Sequence, residues 1–357
     1  MKYKISLEFF YKKQIFISFN LQSVSMNSIK LDLKDNKILK LITENAKLPS
    51  KSIAKEVGLT REAVDYRIKR LENTGIISQY VTKIDMTRFC QNAYMMFLRM
   101  SKITPLKFNK VTNFFIKDPL TMWVSSLSGE WDLATSFLTK DSLDLTKKIS
   151  DVENVLGENL REYGLLTYTR EIKNTYEDLF LPKERKTFDN KFMMREFSRE
   201  RFVNLDTIDK KIVTLLAKNA KISNKEIAKE VGLTEEAVRQ RIKNLEKTEV
   251  IRGYRAIIDI YKLNLEIYYV LMKFTRVDSL REKEIDTYFN SHPNVYYCAR
   301  TAGRYDLIAC ITAKDRMHFH EILTEMRNRF SSILKEFSTN VIFKEYKHIY
   351  LPEGVLN

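Results

Sequence analysis

The octapeptide IAKEVGLT stands at Ile53–Thr60 and returns at Ile227–Thr234, 174 positions later. The likeness runs well beyond those eight letters. Leu31–Asp85 aligns with Leu205–Asp259 without gaps, and more than half the positions are identical. Downstream the letters diverge while the offset survives. Asp118-Pro119 falls on His292-Pro293, Gly129-x-x-Asp132-Leu133 on Gly303-x-x-Asp306-Leu307, and Asp141 on Asp315. Leu181-Pro182 meets Leu351-Pro352 at offset 170. A period this long, occurring twice, is a duplicated multi-domain unit and not a solenoid repeat. The chain must therefore fold as two copies of one plan.

Each copy divides by its pattern. Residues 31–89 and 204–263 are helical in period, with Ile38, Leu41 and Ile42, then Ile212, Leu215 and Leu216, at i, i+3, i+4. Gly58 offers a left-handed C-cap after the stripe Ile53, Ala54, Val57, and Thr60 offers an N-cap for a helix carrying Ala63, Val64, Ile68 and Leu71. Two short helices about a glycine turn make a helix-turn-helix. IISQYVTKID and VIRGYRAIID alternate about every second residue, which predicts a short β-hairpin, or wing, after each. Residues 90–182 and 264–357 read strand, helix, strand, strand, helix, strand, the ferredoxin-like βαββαβ order, with Gly129-Glu130 and Gly303-Arg304 at the central hairpin turns. The fold class is thus α+β. Residues 1–30 form an N-terminal extension, whose Gln14–Ser25 stretch reads as an edge strand or as sequence upstream of a start at Met26. Residues 183–203 form a basic linker.

Charge sharpens the division. The net charge is +15, and 31–89 carries 12 Lys/Arg against 8 Asp/Glu while 205–263 carries 13 against 9. The ferredoxin-like segments are close to neutral, at −1 for 90–182 and +1 for 264–357. The excess sits where phosphates would meet the helix-turn-helix parts, so double-stranded DNA is the expected partner. No window approaches the roughly 20 apolar residues of a membrane helix. Cys90, Cys298 and Cys310 are too few for a disulfide framework and not spaced as metal ligands, so a reducing cytoplasm is expected. His318 and His320, at i and i+2 of an expected helix, do not share a face as metal ligands must. No metal or cofactor is expected.

The second helix of a helix-turn-helix enters the major groove, so its non-core residues are the candidate readers. In the first copy these are Thr60, Arg61, Asp65, Tyr66, Arg67, Lys69 and Arg70; in the second they are Thr234, Glu235, Arg239, Gln240, Arg241, Lys243 and Asn244, joined by Arg252 on the wing. The faces differ at matching positions: Asp65 against Arg239, Tyr66 against Gln240, Arg70 against Asn244. Arg239 suits guanine and Gln240 adenine, whereas Asp65 can only accept, as from cytosine N4. Arg67, Lys69, Arg241 and Lys243, shared by both copies, are expected to grip phosphate. A plain solvated helix face is the alternative for each residue taken singly.

These stretches resemble the Lrp/AsnC (feast/famine) regulators of bacteria and archaea. The resemblance rests on Asp32-x-x-Asp35-x-x-Ile38-Leu39, IAKEVGLT, Val64-x-x-Arg67-Ile68-Lys69-Arg70-Leu71-Glu72, the Ile-Asp ends at Ile84-Asp85 and Ile258-Asp259, and the turns Gly129–Leu133 and Gly303–Leu307. It implies a sequence-specific transcriptional regulator: a winged helix-turn-helix joined to a RAM-type ferredoxin-like domain that self-associates through its sheets. It also implies an amino acid or other small effector bound near the Gly-x-x-Asp turn, here Gly129, Asp132, Gly303, Tyr305 and Asp306. The alternative is that these are turn residues alone. The sequence departs from the family in its tandem plan, in Glu249 where the first copy has Gly75, and in Gln79 where the second has Gly253.

Two other functions stay in view. One is an architectural, nucleoid-type protein that grips phosphates with little sequence preference. The other is an enzyme, because sirohaem decarboxylases resemble the same two-domain plan. Against the enzyme, no cluster of His and Arg surrounds the Gly-x-x-Asp turns, and no nucleophile–base pair is visible.

Overall fold

The computed structural model describes residues 30–89, 92–102, 104–180 and 203–356. The N-terminal extension, most of the linker, Cys90 and Leu181-Pro182 lie outside them. Three helices open the chain: α1 (Leu33–Glu44), α2 (Ser50–Val57) and α3 (Arg61–Asn73). Asp32 starts α1 with a reciprocal cap, its carboxylate accepting from the Asp35 backbone while Asp35 accepts from the Asp32 backbone. Gly58 ends α2 at φ +66, and the Thr60 hydroxyl accepts from the Ala63 N–H to start α3. After β1 (Ile77–Ile84) come β2 (Asn92–Met100), α4 (Pro105–Lys117), β3 (Thr121–Gly129), β4 (Leu133–Thr139), α5 (Ser142–Leu156), β5 (Leu160–Asn174) and the short α6 (Glu177–Phe180).

The same order then follows in the second half. It contains α7 (Thr207–Lys218), α8 (Asn224–Val231), α9 (Glu235–Lys247), β6 (Ile251–Ile258), β7 (Glu266–Phe274), α10 (Ser279–Ser291), β8 (Val295–Gly303), β9 (Leu307–Ala313), α11 (Arg316–Arg329) and β10 (Leu334–His348). Glu249, after α9, holds φ +58, the left-handed conformation that Gly75 takes at +75 after α3. Its carboxylate accepts from Arg88 Nη2 at 2.9 Å, which helps hold a conformation that β-carbons disfavour.

The eight strands of the two ferredoxin-like sheets close into one barrel, in the order β10-β3-β4-β2-β5-β8-β9-β7. The long last strand of each half crosses to the other half, β5 pairing with β8 and β10 with β3. Closure leaves the sheets without a free edge. The two ferredoxin-like parts thus pair their sheets with each other within the one chain. Two lysines latch the crossing. Lys173 Nζ donates to the His292 carbonyl at 2.7 Å, and Lys347 Nζ, 174 residues on, donates to the Asp118 carbonyl at 2.8 Å.

The expected wings are not hairpins. β1 and β6 are single strands that pair with each other, antiparallel, as a two-stranded ribbon joining the halves. The reason is legible afterwards: neither ten-residue stretch carries an Asn-Gly, Asp-Gly or Gly-Gly pair to close a two-residue hairpin turn. Across this ribbon each helical head is held by the other half. The Ala46 N–H donates to the Tyr254 carbonyl at 2.9 Å and the Ala220 N–H to that of Tyr80 at 3.0 Å. Lys47 lies 3.6 Å from the Tyr254 ring and Lys221 3.5 Å from the Tyr80 ring. Each tyrosine hydroxyl then bonds a glutamate of its own half, Tyr80 to Glu72 and Tyr254 to Glu246. Cation–π contacts of this kind contribute about 0.5–2 kcal/mol each.

Candidate nucleic-acid interface

The two recognition helices, α3 and α9, bury one stripe each and leave the rest open. Val64 and Leu71 are buried in α3, and Val238, Ile242 and Leu245 in α9. On α3 the exposed face carries Arg61, Asp65, Tyr66 and Lys69, with Tyr66 70% exposed. A large ring left that open on a recognition helix is a ready contact for base or sugar. On α9 the exposed face carries Arg239, Gln240, Lys243 and Asn244. Thr60 and Thr234 cap their helices, and Glu235 stands exposed in the first turn of α9.

Several expected readers have another task. Arg67 Nη1 meets Asp32 at 2.7 Å and the buried Asp35 at 2.8 Å, and Arg70 Nη2 meets Asp35 at 2.6 Å. In the second head Arg241 Nη1 meets Asp206 at 2.7 Å and Asp209 at 2.8 Å. Arg67, Arg70 and Arg241 thus tie the recognition helix to the first helix of its head. The Asp-x-x-Asp motif is their partner, a relation that sequence spacing did not reveal. The Asp35 N–H, then Arg67, hold the Asp32 carboxyl below its usual range, and the Asp209 N–H, then Arg241, do the same for Asp206. Asp65 accepts from the Ser50 hydroxyl and lies 3.6 Å from Arg61 Nε, so its carboxylate is already engaged. Lys69 and Lys243 are exposed, the remaining shared cations on these faces.

The heads are consequently unequal in how firmly they are tied. Asp35 is 1% exposed and holds two arginines, whereas Asp209 is 23% exposed and holds one. Asp35→Ala is expected to cost the first head about 2–3 kcal/mol, because it takes the carboxylate from Arg70 and one of the two from Arg67, and removes half of the reciprocal cap. Asp209→Ala should cost the second about 1 kcal/mol. Hydrogen exchange of the α3 and α9 amides in the two variants checks this. Equal acceleration in both helices would contradict it.

The expected effector turns also carry structural bonds. Gly129 lies opposite Asn340 and Gly303 opposite Leu166, where strands of the two halves cross. Asp132 accepts from the Met100 N–H at 2.6 Å; Asp306 accepts from the Phe274 N–H at 2.9 Å and from Lys273 Nζ at 2.7 Å. Tyr305 is buried and its hydroxyl lies 3.1 Å from both Glu130 and Glu336, one from each half. Hydrogen bonding to Arg304 holds Glu336 below its usual range. Each of the five thus has a part in joining or bracing the strands around the turns. Arg252, expected on a wing tip over DNA, instead stands half-buried at the edge of a cavity between ribbon and barrel. Among the described residues no helix is long and apolar enough to cross a membrane, and no group of three or more His, Cys, Asp or Glu is placed to hold a metal ion.

Helix-turn-helix heads mounted on a ligand-binding type of α+β domain define a DNA-binding transcriptional regulator. Comparison with known proteins agrees. The description of a winged helix-turn-helix DNA-binding domain matches residues 31–78, that of an AsnC-type helix-turn-helix domain residues 205–246, and that of the Lrp/AsnC ligand binding domain residues 268–351. The HTH-type transcriptional regulator FL11 of Pyrococcus furiosus is 31% identical over 120 residues, 33% of this chain and 78% of its own length. The leucine-responsive regulatory protein of Haemophilus influenzae is 28% identical over 156 residues, 43% of this chain and 93% of its own length. The chain belongs to the Lrp/AsnC family. Among solved structures, the sirohaem decarboxylase NirDL superposes with a TM-score of 0.59 at 17% identity, covering 89% of this chain and 94% of that one. Likeness at that identity concerns the fold alone.

Proposed function

We propose that this regulator is a tandem duplication in which one chain does the work of a two-headed dimer and reads two unlike half-sites. On this reading 31–89 and 204–263 are the DNA-binding domains, 90–182 and 264–357 the ferredoxin-like domains, 183–203 a linker and 1–30 an extension. The observation that carries it is the divergence of two exposed faces on otherwise matching helices: Arg61, Tyr66 and Lys69 on α3 against Arg239, Gln240, Lys243 and Asn244 on α9. Identical heads in a homodimer require a palindrome, and unequal heads do not. Glu235, Thr60 and Thr234 act at the helix starts, where backbone N–H groups can meet phosphate. A cytoplasmic, non-enzymatic role fits relatives that are named as regulators.

Selection of bound DNA from a random pool tests the reading. Arg239→Ala should relax one half of the selected site, losing about 1–3 kcal/mol of discrimination at a single base pair. Tyr66→Ala should weaken only the other half. A perfect palindrome, or a pool without consensus, would refute it. The second of those results, with a steep loss of affinity in salt, is what an architectural protein would give.

A further inference from the structure

Between the ribbon and the barrel lies a cavity of about 260 Å³, which the DNA reading leaves unused. It straddles the relation between the halves. Glu171 and Glu345, Asn174 and His348, and Tyr176 and Tyr350 are matching positions at offset 174, and all six line it. Six tyrosines and Trp123 furnish its walls. They stack across the halves in flat pairs, Trp123 on Tyr269 at 5.7 Å and 18°, and Tyr176 on Tyr296 at 5.5 Å and 15°. Walls of parallel rings favour a planar aromatic guest, through offset stacking and burial.

The charges decide what that guest carries. Both carboxylates already have donors. Glu345 accepts from the Trp123 indole N–H at 2.5 Å, and Glu171 accepts from Asn174 Nδ2 at 2.9 Å. Glu345 also lies 3.6 Å from His348 Nδ1, and burial holds that imidazole below its usual range. The guanidinium groups are less well served. Arg252 makes no hydrogen bond or ion pair among the described residues, and its counterpart in the first half is Ser78. Behind the wall, Arg255 is 2% exposed. It lies over the Tyr350 ring at 4.8 Å and the Tyr176 ring at 5.7 Å, with no carboxylate in ion-pair range among the described residues. Its Nη1 donates to the Asn174 carbonyl at 2.9 Å and to Asn174 Oδ1 at 2.8 Å, while Nε has no hydrogen-bond partner among the described residues. Lys83, pushed down to about 8 by burial and by these neighbouring arginines, adds to the same positive field.

We propose that this cavity is a binding site for a small planar aromatic acid, its ring between the tyrosine walls and its carboxylate on Arg252. The cavity suits a guest of one or two rings. Its halves differ at Asn174 and His348, at Ser136 and Cys310, and at Ser78 and Arg252, so it can hold one asymmetric molecule in one orientation. Two identical halves would offer two opposed orientations. The guest would touch β6 of the ribbon and the barrel together. The site is distinct from the Gly-x-x-Asp turns, and it stands whether or not the two heads read unlike DNA.

Calorimetric titration of the full chain tests it. Indole-3-acetate and 4-hydroxyphenylacetate are the acid probes, indole and p-cresol their neutral counterparts, and leucine an aliphatic control. The acids should bind about ten- to a hundredfold more tightly than the neutral molecules, the ratio expected for a hydrogen bond to a charged group. Arg252→Gln should erase that ratio and leave the melting temperature nearly unchanged, since the side chain has no hydrogen bond or ion pair to lose among the described residues. Arg252→Lys should restore part of it. Binding should quench fluorescence in the native chain and not in Trp123→Phe, which keeps Trp131. The proposal fails if neither acid binds at millimolar concentration, if Arg252→Gln leaves the ratio intact, or if leucine binds as well as the acids. It fails also if an iron porphyrin binds with a Soret shift that His348→Ala removes, because the cavity would then belong to a larger guest held through that imidazole.

Discussion

Gly129→Ala is expected to cost the barrel about 3–4 kcal/mol and Gly303→Ala about 3, read as lowered denaturant midpoints of the full chain. A Cβ on Gly129 would lie 2.5 Å from the Thr339 carbonyl oxygen and 2.9 Å from Asn340 Oδ1. On Gly303 it would lie 2.8 Å from the Leu165 carbonyl oxygen and 2.9 Å from Leu166 Cδ2. Two of those atoms are backbone and cannot swing aside. Backbone strain adds to the clash, since φ is +143 at Gly129 and +138 at Gly303. Gly253 separates the two effects. It has φ +142 with nothing within 4 Å of its Cβ position, so Gly253→Ala should cost only the strain, about 1 kcal/mol. If the turn glycines served a ligand and not the strand crossing, Gly129→Ala would leave the midpoint near that of Gly253→Ala.

Lys173→Met should be the other severe change, at about 3–5 kcal/mol. Its side chain is 1% exposed and lies 2.8 Å from Asp178, itself 4% exposed, while Nζ also bonds the His292 carbonyl. Removing the cation takes an ion-pair partner from the buried Asp178 carboxylate and a donor from the His292 carbonyl. The double change Lys173→Met with Asp178→Leu removes both charges and should recover most of the loss. The matching Lys347 behaves differently. It bonds two carbonyls, those of Ile116 and Asp118, and the Asp118 carboxylate is held instead by Lys148 at 2.7 Å. Lys347→Met should therefore cost only about 1–2 kcal/mol. Denaturant midpoints of the three variants decide the matter. A double change as damaging as Lys173→Met would show that the ion pair is not what the site needs.

Much of this architecture was legible in the letters. Spacing of Ile38, Leu41 and Ile42, the glycine stops and the threonine caps placed the head helices, because local bonding alone sets those features. The central strands of the ferredoxin-like parts were equally plain, since Gly129-Glu130 and Gly303-Arg304 mark the turns after β3 and β8. What stayed hidden was whatever two distant segments decide together. Alternation in IISQYVTKID announces a strand and is silent about its partner, which proved to be β6 of the other half. Arg67 and Asp35 lie 32 positions apart, so the charge on the recognition helix looked free when it was already paired. Gly129 and Gly303 read as a ligand turn because the atoms that require glycine, on Thr339 and Leu165, belong to the opposite half. The cavity was invisible for the same reason.

The most direct test of one chain acting as two heads is the composition of the DNA complex. Native mass spectrometry of the chain with its selected site, alongside a hydroxyl-radical footprint, should show one chain per duplex. The footprint should show two protected patches about one helical turn apart, one lost on Arg239→Ala and the other on Tyr66→Ala. Two chains per duplex, each protecting the same half-site sequence, would contradict the account.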